Sequence, residues 1–440
     1  MLKYIFLLFL IGQVSYGNSQ QLYFPPISGN AWDTISPARL NWCDSEIDNL
    51  YNYLNENNTK AFVLLIDGKI VLEKYFADHT QNSLWQWASA GKVLTSFLVG
   101  IAQQEGKLSI NEKSSDYLGE GWTNCTAVQE ERISIRNQLT MTTGLDDEVA
   151  DPYCTLDSCL IYIADAGSRW AYHNAPYTLL DQVIEKATGS SLNSYVFLKL
   201  RNQIGLTGGF VPVDYNNVFF STARSMARFG LLILGKGNWA GNSIMTDTSY
   251  FNQMINTSQE LNHSYGYLWW LNGKSSFMVP SIQRVFSGSL CPNAPSDMIA
   301  AMGKDGQFIN VIPSKNMVWI RMGEAPESLP VPYLMNDQIW EYINKLSCNA
   351  STHNASEEIF QIRVFPNPAN DFIKIESKHM IKKIEILDVN GKIVKLISNL
   401  TAEPSDSISI QGLVSGNYFV KATFEDGSVA TEKLIKDGTI

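Results

Sequence analysis

The stretch that decides the fold is Trp85-Gln86-Trp87-Ala88-Ser89-Ala90-Gly91-Lys92, after which apolar residues recur at helical spacing as far as Gln104. This periodicity predicts a buried helix over 89–104. Side chains three residues apart share a helix face, so Ser89 and Lys92 lie together, one turn apart. A serine hydroxyl needs an adjacent base to act as a nucleophile, and a lysine can serve once burial and positive neighbours depress its pKa.

The pattern is weak by itself, although it is the only Ser-x-x-Lys in the 440 residues. Its position adds weight, because the positive end of a helix favours negative charge developing on Ser89.

Working outward, the residues on both sides of this helix predict an α/β (α+β) domain. Helical apolar spacing covers 44–56, and two strands, 61–66 and 70–76, flank an Asp67-Gly68 hairpin turn. Further helices are predicted at 177–186, 222–234 and 331–346, with strands at 298–302, 308–312 and 317–321. Strands at both ends with helices between them indicate a sheet flanked by helices plus a helical subdomain.

The composition changes after Cys348. Residues 348–358 are small and polar and predict a linker. Short strands follow at 372–376, 384–387, 393–396, 408–410 and 418–423, with Asn390-Gly391 and Asp426-Gly427 as hairpin turns. Residues 359–440 are therefore expected to form a separate all-β sandwich that holds no candidate catalytic group.

The first 17 residues predict an export signal: Lys3 precedes an apolar run over 5–11 and a small-residue segment around Gly17. We expect no transmembrane segment, since no later stretch approaches the roughly 20 apolar residues that a spanning helix needs. The net charge of −10 and the lack of basic runs argue against nucleic acid as a partner.

Six cysteines in an exported chain favour disulfides over free thiols. No Cys-x-x-Cys or His-x-His occurs, so we expect no metal site, and we expect no other cofactor.

Two further short patterns are candidates for the same site. They are Tyr172-His173-Asn174 and Lys304-Asp305-Gly306, the latter followed by a strand. Neither is specific, because Tyr250-Phe251-Asn252 and Lys436-Asp437-Gly438 also fit. Their order and surroundings decide the interpretation.

In that order, residues 30–347 resemble the serine β-lactamase and penicillin-binding-protein family, especially the branch of class C β-lactamases, esterases and 6-aminohexanoate-dimer hydrolases. The resemblance rests on six blocks in family order: 89–92, 137–145, 172–180 with 188–189, 221–230, 266–270 and 303–313. It implies a β-lactamase-like antiparallel sheet and an acyl-enzyme mechanism.

The resemblance also implies roles for the first two patterns. Ser89 would be acylated, and Lys92 and Tyr172 would share proton transfer. Tyr172, flanked by two lysines, is expected to have a lowered pKa. Asn174 would orient Lys92 and the substrate.

The third pattern would supply substrate contacts. Lys304 would contact a substrate carboxylate or Tyr172, Gly306 would complete the motif, and the backbone N–H of Gln307 would join that of Ser89 in an oxyanion hole. His173 and Asp305 depart from the family pattern, and both are expected to line the cleft.

The C-terminal module resembles the type IX secretion sorting domain of Bacteroidetes. The resemblance rests on Val364-Phe365-Pro366-Asn367-Pro368-Ala369-Asn370, on 389–392, on 413–418 and on the terminal lysine-rich strand. It implies export through the periplasm to the cell surface or medium, with the type IX machinery as partner.

For the disulfides, Cys43 and Cys348 flank the first and last helices, which pack side by side in the family, so we expect them to pair. Cys154 and Cys159 are close enough in sequence to close a short loop. Cys125 would pair with Cys291 only by elimination.

The predicted function is a secreted serine hydrolase acting on an amide or ester, such as a small peptide, an oligomer amide or a short ester. A β-lactamase or D-amino-acid peptidase is the alternative, and a catalytically silent peptidoglycan- or peptide-binding module is the second. An α/β-hydrolase is rejected because Trp87 stands where the nucleophile elbow needs glycine. A metallo-β-lactamase is rejected because this sequence has no histidine clusters.

Overall fold

The computed structural model describes residues 22–325, 329–348, 362–377, 379–389, 391–398, 407–425 and 428–437. The expected signal segment and residues 349–358 of the expected linker lie outside these residues. Contacts divide the chain into two compact units, residues 1–348 and 349–440. The narrower domain limits drawn from the sequence stay predictions.

The first unit contains both helices and strands. The helices are α1 (Asp44–Glu56), α2 (Lys92–Gln104), α3 (Ser115–Leu118), α4 (Ala127–Glu130), α5 (Ile135–Leu139), α6 (Asn174–Thr178), α7 (Leu180–Thr188), α8 (Leu192–Val196), α9 (Asn202–Ile204), α10 (Ala223–Leu234), α11 (Thr248–Met254) and α12 (Tyr333–Asn344). The strands are β1 (Thr59–Ile66), β2 (Lys69–Tyr75), β3 (Trp85–Gln86), β4 (Gly209–Val213), β5 (Asn216–Ser221), β6 (Asn238–Trp239), β7 (Asn242–Ser243), β8 (Trp270–Leu271), β9 (Ser276–Val279), β10 (Ile282–Ser287), β11 (Ile299–Gly303), β12 (Gln307–Ile312) and β13 (Met317–Gly323).

The central sheet joins strands from the two ends of this unit. Its order is β2-β1-β13-β12-β11-β8 and all its pairings are antiparallel. Leu64 of β1 lies opposite Trp319 of β13. The predicted antiparallel sheet with flanking helices and a helical subdomain is confirmed.

Both faces of this sheet are covered, which explains why every residue of β12 and β13 is buried and why apolar residues do not alternate with polar ones. On β13, Val318 faces α10, where a Cβ on Gly230 would lie 2.6 Å from its Cγ1. The next residue, Trp319, turns to the opposite face and packs edge-on against Trp340 of α12. Successive side chains of a strand point to opposite faces, so each needs its own apolar neighbour.

The helix predicted over 89–104 begins differently. Residues Ala88–Gly91 form a 3₁₀ turn, and α2 starts only at Lys92. The short strand β3 pairs with β5, and the Trp87 N–H donates to the Phe219 carbonyl, so the chain arrives as an extended strand. Ala88 then takes a left-handed conformation, with φ of +44°, to turn into the helix.

The second unit is all-β in its described part. Its strands are β14 (Ile362–Phe365), β15 (Phe372–Ser377), β16 (Ile381–Asp388), β17 (Ile393–Ser398), β18 (Ile408–Ser409), β19 (Gly416–Phe424) and β20 (Val429–Lys436). They form a three-stranded sheet, β14-β15-β18, and a four-stranded sheet, β17-β16-β19-β20. Inward residues of both sheets, such as Ile373 and Val420, share one core. The predicted β-sandwich is confirmed.

Two of the three expected disulfides are present. Cys43 bonds to Cys348 with Cα atoms 5.0 Å apart, and Cys154 bonds to Cys159. The pairing of Cys125 with Cys291 is wrong, because both are free thiols. The Cys291 thiol is buried near the side-chain oxygen of Asn336, at 3.8 Å, and Cys125 packs in a different apolar cluster. Elimination failed because an even number of cysteines does not oblige every one to pair.

Candidate active site

Ser89 is held by the turn that precedes α2. Trp87 is fully buried, and its indole N–H donates to Ser221 Oγ at 2.7 Å. This anchor and the left-handed Ala88 fix where the turn places the serine, which is half-buried. Ser89 thus has a defined position in the 3₁₀ turn that leads into a buried helix.

Lys92 lies one turn further along, on the same face. Its Nζ is 3.1 Å from Ser89 Oγ and 2.8 Å from Asn174 Oδ1. Burial disfavours the ammonium form and lowers the pKa of Lys92 to about 7, although the nearby Asp181 opposes this. A large share of the amine is therefore neutral near pH 7 and can accept the proton of Ser89.

Tyr172 reaches the same place from the segment before α6. Its ring stacks on Trp270, with centroids 5.8 Å apart, and Lys92 Nζ is 5.2 Å from the Tyr172 centroid. Burial raises the pKa of this phenol well above its usual value, and the hydrogen bond with the Ser89 hydroxyl only partly opposes that. The lowered pKa expected from two flanking lysines is wrong, since desolvation of the phenolate dominates.

Two residues that the sequence interpretation missed complete the surroundings of Lys92. The Tyr177 ring lies beneath the amine, 3.9 Å from Nζ to the centroid. Asp181, one turn later on α7, is buried and accepts hydrogen bonds from Thr95 and Asn217. Burial raises the pKa of Asp181 to about 7. The available signal was an acidic residue inside the apolar run Leu179-Leu180-Asp181-Gln182-Val183.

The residues of the third pattern, Lys304 to Gln307, contact β13 or solvent through their side-chain positions. Lys304 is exposed, in the short turn between β11 and β12. Gly306 adjoins the Arg321 guanidinium, which donates to the Gly306 carbonyl at 2.7 Å. The Gln307 carboxamide donates to the Gly323 carbonyl and accepts from the Gly323 N–H at 3.0 Å. The structure therefore brings Ser89, Lys92, Tyr172 and Asn174 together, whereas the Gly306 and Gln307 side-chain positions face β13.

Gly303, at the end of β11, lies against the turn that carries Ser89. A Cβ placed on it would lie 2.7 Å from Ala90 N and from Trp87 O, and 3.0 Å from Ser89 N. Only glycine lets the strand pass this close to backbone atoms. The sequence analysis included Gly303 in the block 303–313 but assigned it no role.

The two departures from the family pattern differ in placement. His173 is 2% exposed, so the expectation that it lines an open cleft is wrong. Burial lowers its pKa to about 4, which keeps the imidazole neutral at pH 7. Asp305 stays partly exposed in the turn after Lys304, with φ of +62°. Only Asp305 remains available to a substrate in this arrangement.

Among the residues that the structure describes, no group of three or more His, Cys, Asp or Glu side chains is placed to hold a metal ion. Within the same residues, no helix has both the length and the apolar character needed to cross a bilayer.

This geometry matches what nucleophilic catalysis by serine requires. A hydroxyl lies within hydrogen-bond distance of a buried amine, and an amide oxygen orients that amine. A protonated phenol stands beside them, and Ser89 N lies at the positive end of a helix.

Comparison with known proteins agrees with this fold. The family model described as "Beta-lactamase" matches residues 56–342. The chain belongs to the β-lactamase family, and it is a serine hydrolase of that family.

One curated relative and two solved structures are similar to this chain. The 6-aminohexanoate-dimer hydrolase of Paenarthrobacter ureafaciens is 22% identical over 332 residues, which is 67% of this chain and 81% of the relative. The structure of a class C β-lactamase has a TM-score of 0.51 at 16% identity and covers 69% of this chain and 96% of its own. A family VIII carboxylesterase structure has a TM-score of 0.52 at 14% identity, covering 69% and 98%. At these identities the two structures are similar in fold.

The second unit has its own match. The family model described as "Secretion system C-terminal sorting domain" covers residues 363–437. The predicted type IX sorting domain is confirmed, and it implies export to the cell surface or the medium.

Proposed function

We propose that this protein is a secreted hydrolase that opens an ester or amide bond through an acyl intermediate on Ser89. The observation that carries the proposal is the 3.1 Å separation between Lys92 Nζ and Ser89 Oγ, with the pKa of Lys92 lowered to about 7. An ammonium with an ordinary pKa could not take the serine proton at neutral pH.

In the first step, neutral Lys92 takes the Ser89 proton while Oγ attacks the carbonyl carbon. The carbonyl oxygen becomes an oxyanion, which the Ser89 N–H stabilises. A second backbone donor is required, and Gln307 N–H stays our prediction for it. Gly303, which pairs with Gln307 from the neighbouring strand β11, sets how closely β11 approaches Ser89.

In the second step, the bond to the leaving group breaks and that group needs a proton. Tyr172 keeps its proton because its pKa is raised, so it is placed to donate it to the leaving group. The Lys92 ammonium then reprotonates the phenolate. Water then attacks the carbonyl carbon of the acyl-Ser89 ester and gives up a proton to the site, the Ser89 oxygen leaves and takes a proton back, and the acid is released.

Asn174 holds the lysine in register through its side-chain oxygen, and Lys304 remains our prediction for a contact to the outer part of the substrate. The export route through the periplasm and the type IX machinery is part of the same proposal. It is supported by the sorting domain over 363–437.

The test is covalent labelling of the purified full chain with a fluorophosphonate probe, followed by peptide mass analysis and a panel of esters, amides, D-alanyl peptides and β-lactams. We expect one adduct, on Ser89, and turnover of at least one ester or amide. Ser89→Ala should lose both, whereas Ser249→Ala, an exposed serine on α11, should keep both. Retention by Ser89→Ala of more than about a hundredth of the wild-type rate would overturn the proposal, since loss of a nucleophile costs far more.

A further inference from the structure

Two projecting elements border the segment that carries Tyr172. One is the loop 146–165, in which the Pro152 carbonyl accepts a hydrogen bond from Ala175 N at 3.1 Å. The other is the β9–β10 hairpin, whose Gln283 carboxamide donates to the Trp170 carbonyl at 3.1 Å. Both elements are thus attached to the catalytic segment itself.

These elements expose large apolar side chains beside the segment that carries Tyr172. The loop contributes Tyr153, Leu156, Ile161, Tyr162 and Ile163, and the hairpin contributes Ile282 and Val285. We call these seven residues the apolar rim. An exposed apolar cluster beside a functional group marks a binding surface more often than a scattered single residue does.

The loop part of the apolar rim is held in place by covalent and backbone bonds. The Cys154–Cys159 disulfide closes the short segment that contains Leu156. Asp146 N donates to the Ile161 carbonyl at 2.8 Å, and Ile163 N donates to the Gly144 carbonyl at 3.0 Å. A surface that is already ordered loses little entropy when it binds an apolar group.

The same loop is acidic. Residues 146–165 include six Asp or Glu and no Lys or Arg. Two of these acids pair with arginines outside the loop, Asp147 with Arg169 and Asp165 with Arg132. Glu148, Asp151 and Asp157 are exposed. A substrate carboxylate beside this loop would meet like charge. The exposed Lys304, which carries the opposite charge, lies in the β11–β12 turn and not in this loop.

We propose that the apolar rim binds the uncharged hydrocarbon part of the substrate. This rests on the proposed function and narrows its substrate class. The enzyme prefers esters or amides with an extended apolar group, and it disfavours substrates whose acyl group carries a carboxylate into the acidic loop.

The test compares kcat/KM of the full chain for p-nitrophenyl acetate, butyrate and octanoate. We expect octanoate to exceed acetate by at least about tenfold. Leu156→Asp, at a position 55% exposed, should lower this octanoate-to-acetate ratio at least about fivefold. Leu198→Asp is the matched control, at a 49% exposed position of the segment Phe197–Arg201, and should leave the ratio and the acetate rate unchanged.

Charge selection is tested with a pair of substrates of equal length, p-nitrophenyl butyrate and p-nitrophenyl hemisuccinate. The hemisuccinate should be at least about tenfold slower. In the double variant Asp151→Asn/Asp157→Asn, the ratio of the butyrate rate to the hemisuccinate rate should be smaller than in the wild type.

The outcomes separate the two proposals. If Ser89 is labelled and acetate is hydrolysed, but octanoate is no better or Leu156→Asp leaves the ratio unchanged, this inference is wrong and the proposed function stands. If no ester or amide is turned over and Ser89 resists the probe, the proposed function is wrong. If light scattering shows that Leu156→Asp only dissociates a dimer, the apolar rim binds a second copy and the inference is overturned.

Discussion

The amine nitrogen of Lys92 lies 3.9 Å from the centroid of the Tyr177 ring, inside the protein. An aromatic face attracts an ammonium, and the nearby carboxyl of Asp181 also favours the charged form. Burial outweighs both and lowers the pKa of Lys92 to about 7. The amine is thus held near the point at which charged and neutral forms are equally populated at neutral pH.

The rate should therefore depend on the charge of Lys92. The neutral form is the base, so kcat/KM should fall about tenfold per pH unit below about pH 7 and level off above it. Initial rates on a neutral ester between pH 5 and 9 measure this. Lys92→Arg should be almost inactive throughout, since a guanidinium stays protonated. A flat profile from pH 5 to 7 would contradict Lys92 as the base.

Asp181→Asn should move the midpoint of that profile to lower pH. The carboxyl raises the pKa of Lys92, so its removal leaves burial with less opposition. Asparagine can still accept from Thr95 through its amide oxygen, which limits structural damage. Asp48→Asn, on the exposed side of α1, is the control and should leave the midpoint in place. A shift to higher pH would mean that Asp181 acts through some other contact.

Gly303→Ala should reduce kcat by roughly a hundredfold or more, because a small misplacement of catalytic groups costs that much. The added methyl would lie within 3.0 Å of three backbone atoms around Ser89, and backbone cannot move aside as a flexible side chain does. Gly412→Ala is the control, since a Cβ there has no neighbour within 4 Å. Circular dichroism should show both variants folded. Wild-type kcat in folded Gly303→Ala would refute the role of this close approach.

Replacing Cys43 and Cys348 by serine should destabilise the first unit by about 6 kcal/mol in the chain-entropy account, because the bond joins residues 305 apart. Replacing Cys154 and Cys159, only five apart, should cost about 2 kcal/mol in the same account. Urea unfolding of each double variant measures the difference. Equal losses would show that the entropy of the unfolded chain is not the main contribution.

Removing residues 359–440 should leave hydrolysis unchanged and abolish delivery to the cell surface or medium. The proposed catalytic groups all belong to the first unit, and the sorting domain matches residues 363–437. Activity assays on the purified truncated protein and immunoblots of cell fractions from the native host check the two parts. Normal export of the truncated chain, or loss of activity in a folded one, would contradict this division.

The sequence by itself determined the relation between Ser89 and Lys92, because side chains three residues apart in a helical turn meet whatever the rest of the chain does. It also determined the sheet, since long apolar strands such as β12 and β13 must be covered on both faces. The strands and turns of the second unit are also local features, whereas the sorting domain was inferred from short motifs, such as residues 364–370, that resemble a known family.

Only the tertiary structure decided what depends on burial and on distant contacts. Tyr172 has a raised rather than a lowered pKa because its surroundings, drawn from β8 and α2, exclude water. Asp181 and Gly303 both lie close to the start of α2, although each is more than 80 residues away from it in the sequence. Their positions depend on how α7 and β11 pack in the fold. Cys125 and Cys291 stay unpaired because each packs in a separate apolar environment. Desolvation and close contacts between backbone segments both arise from residues that are far apart in the chain, so no local sequence pattern predicts them.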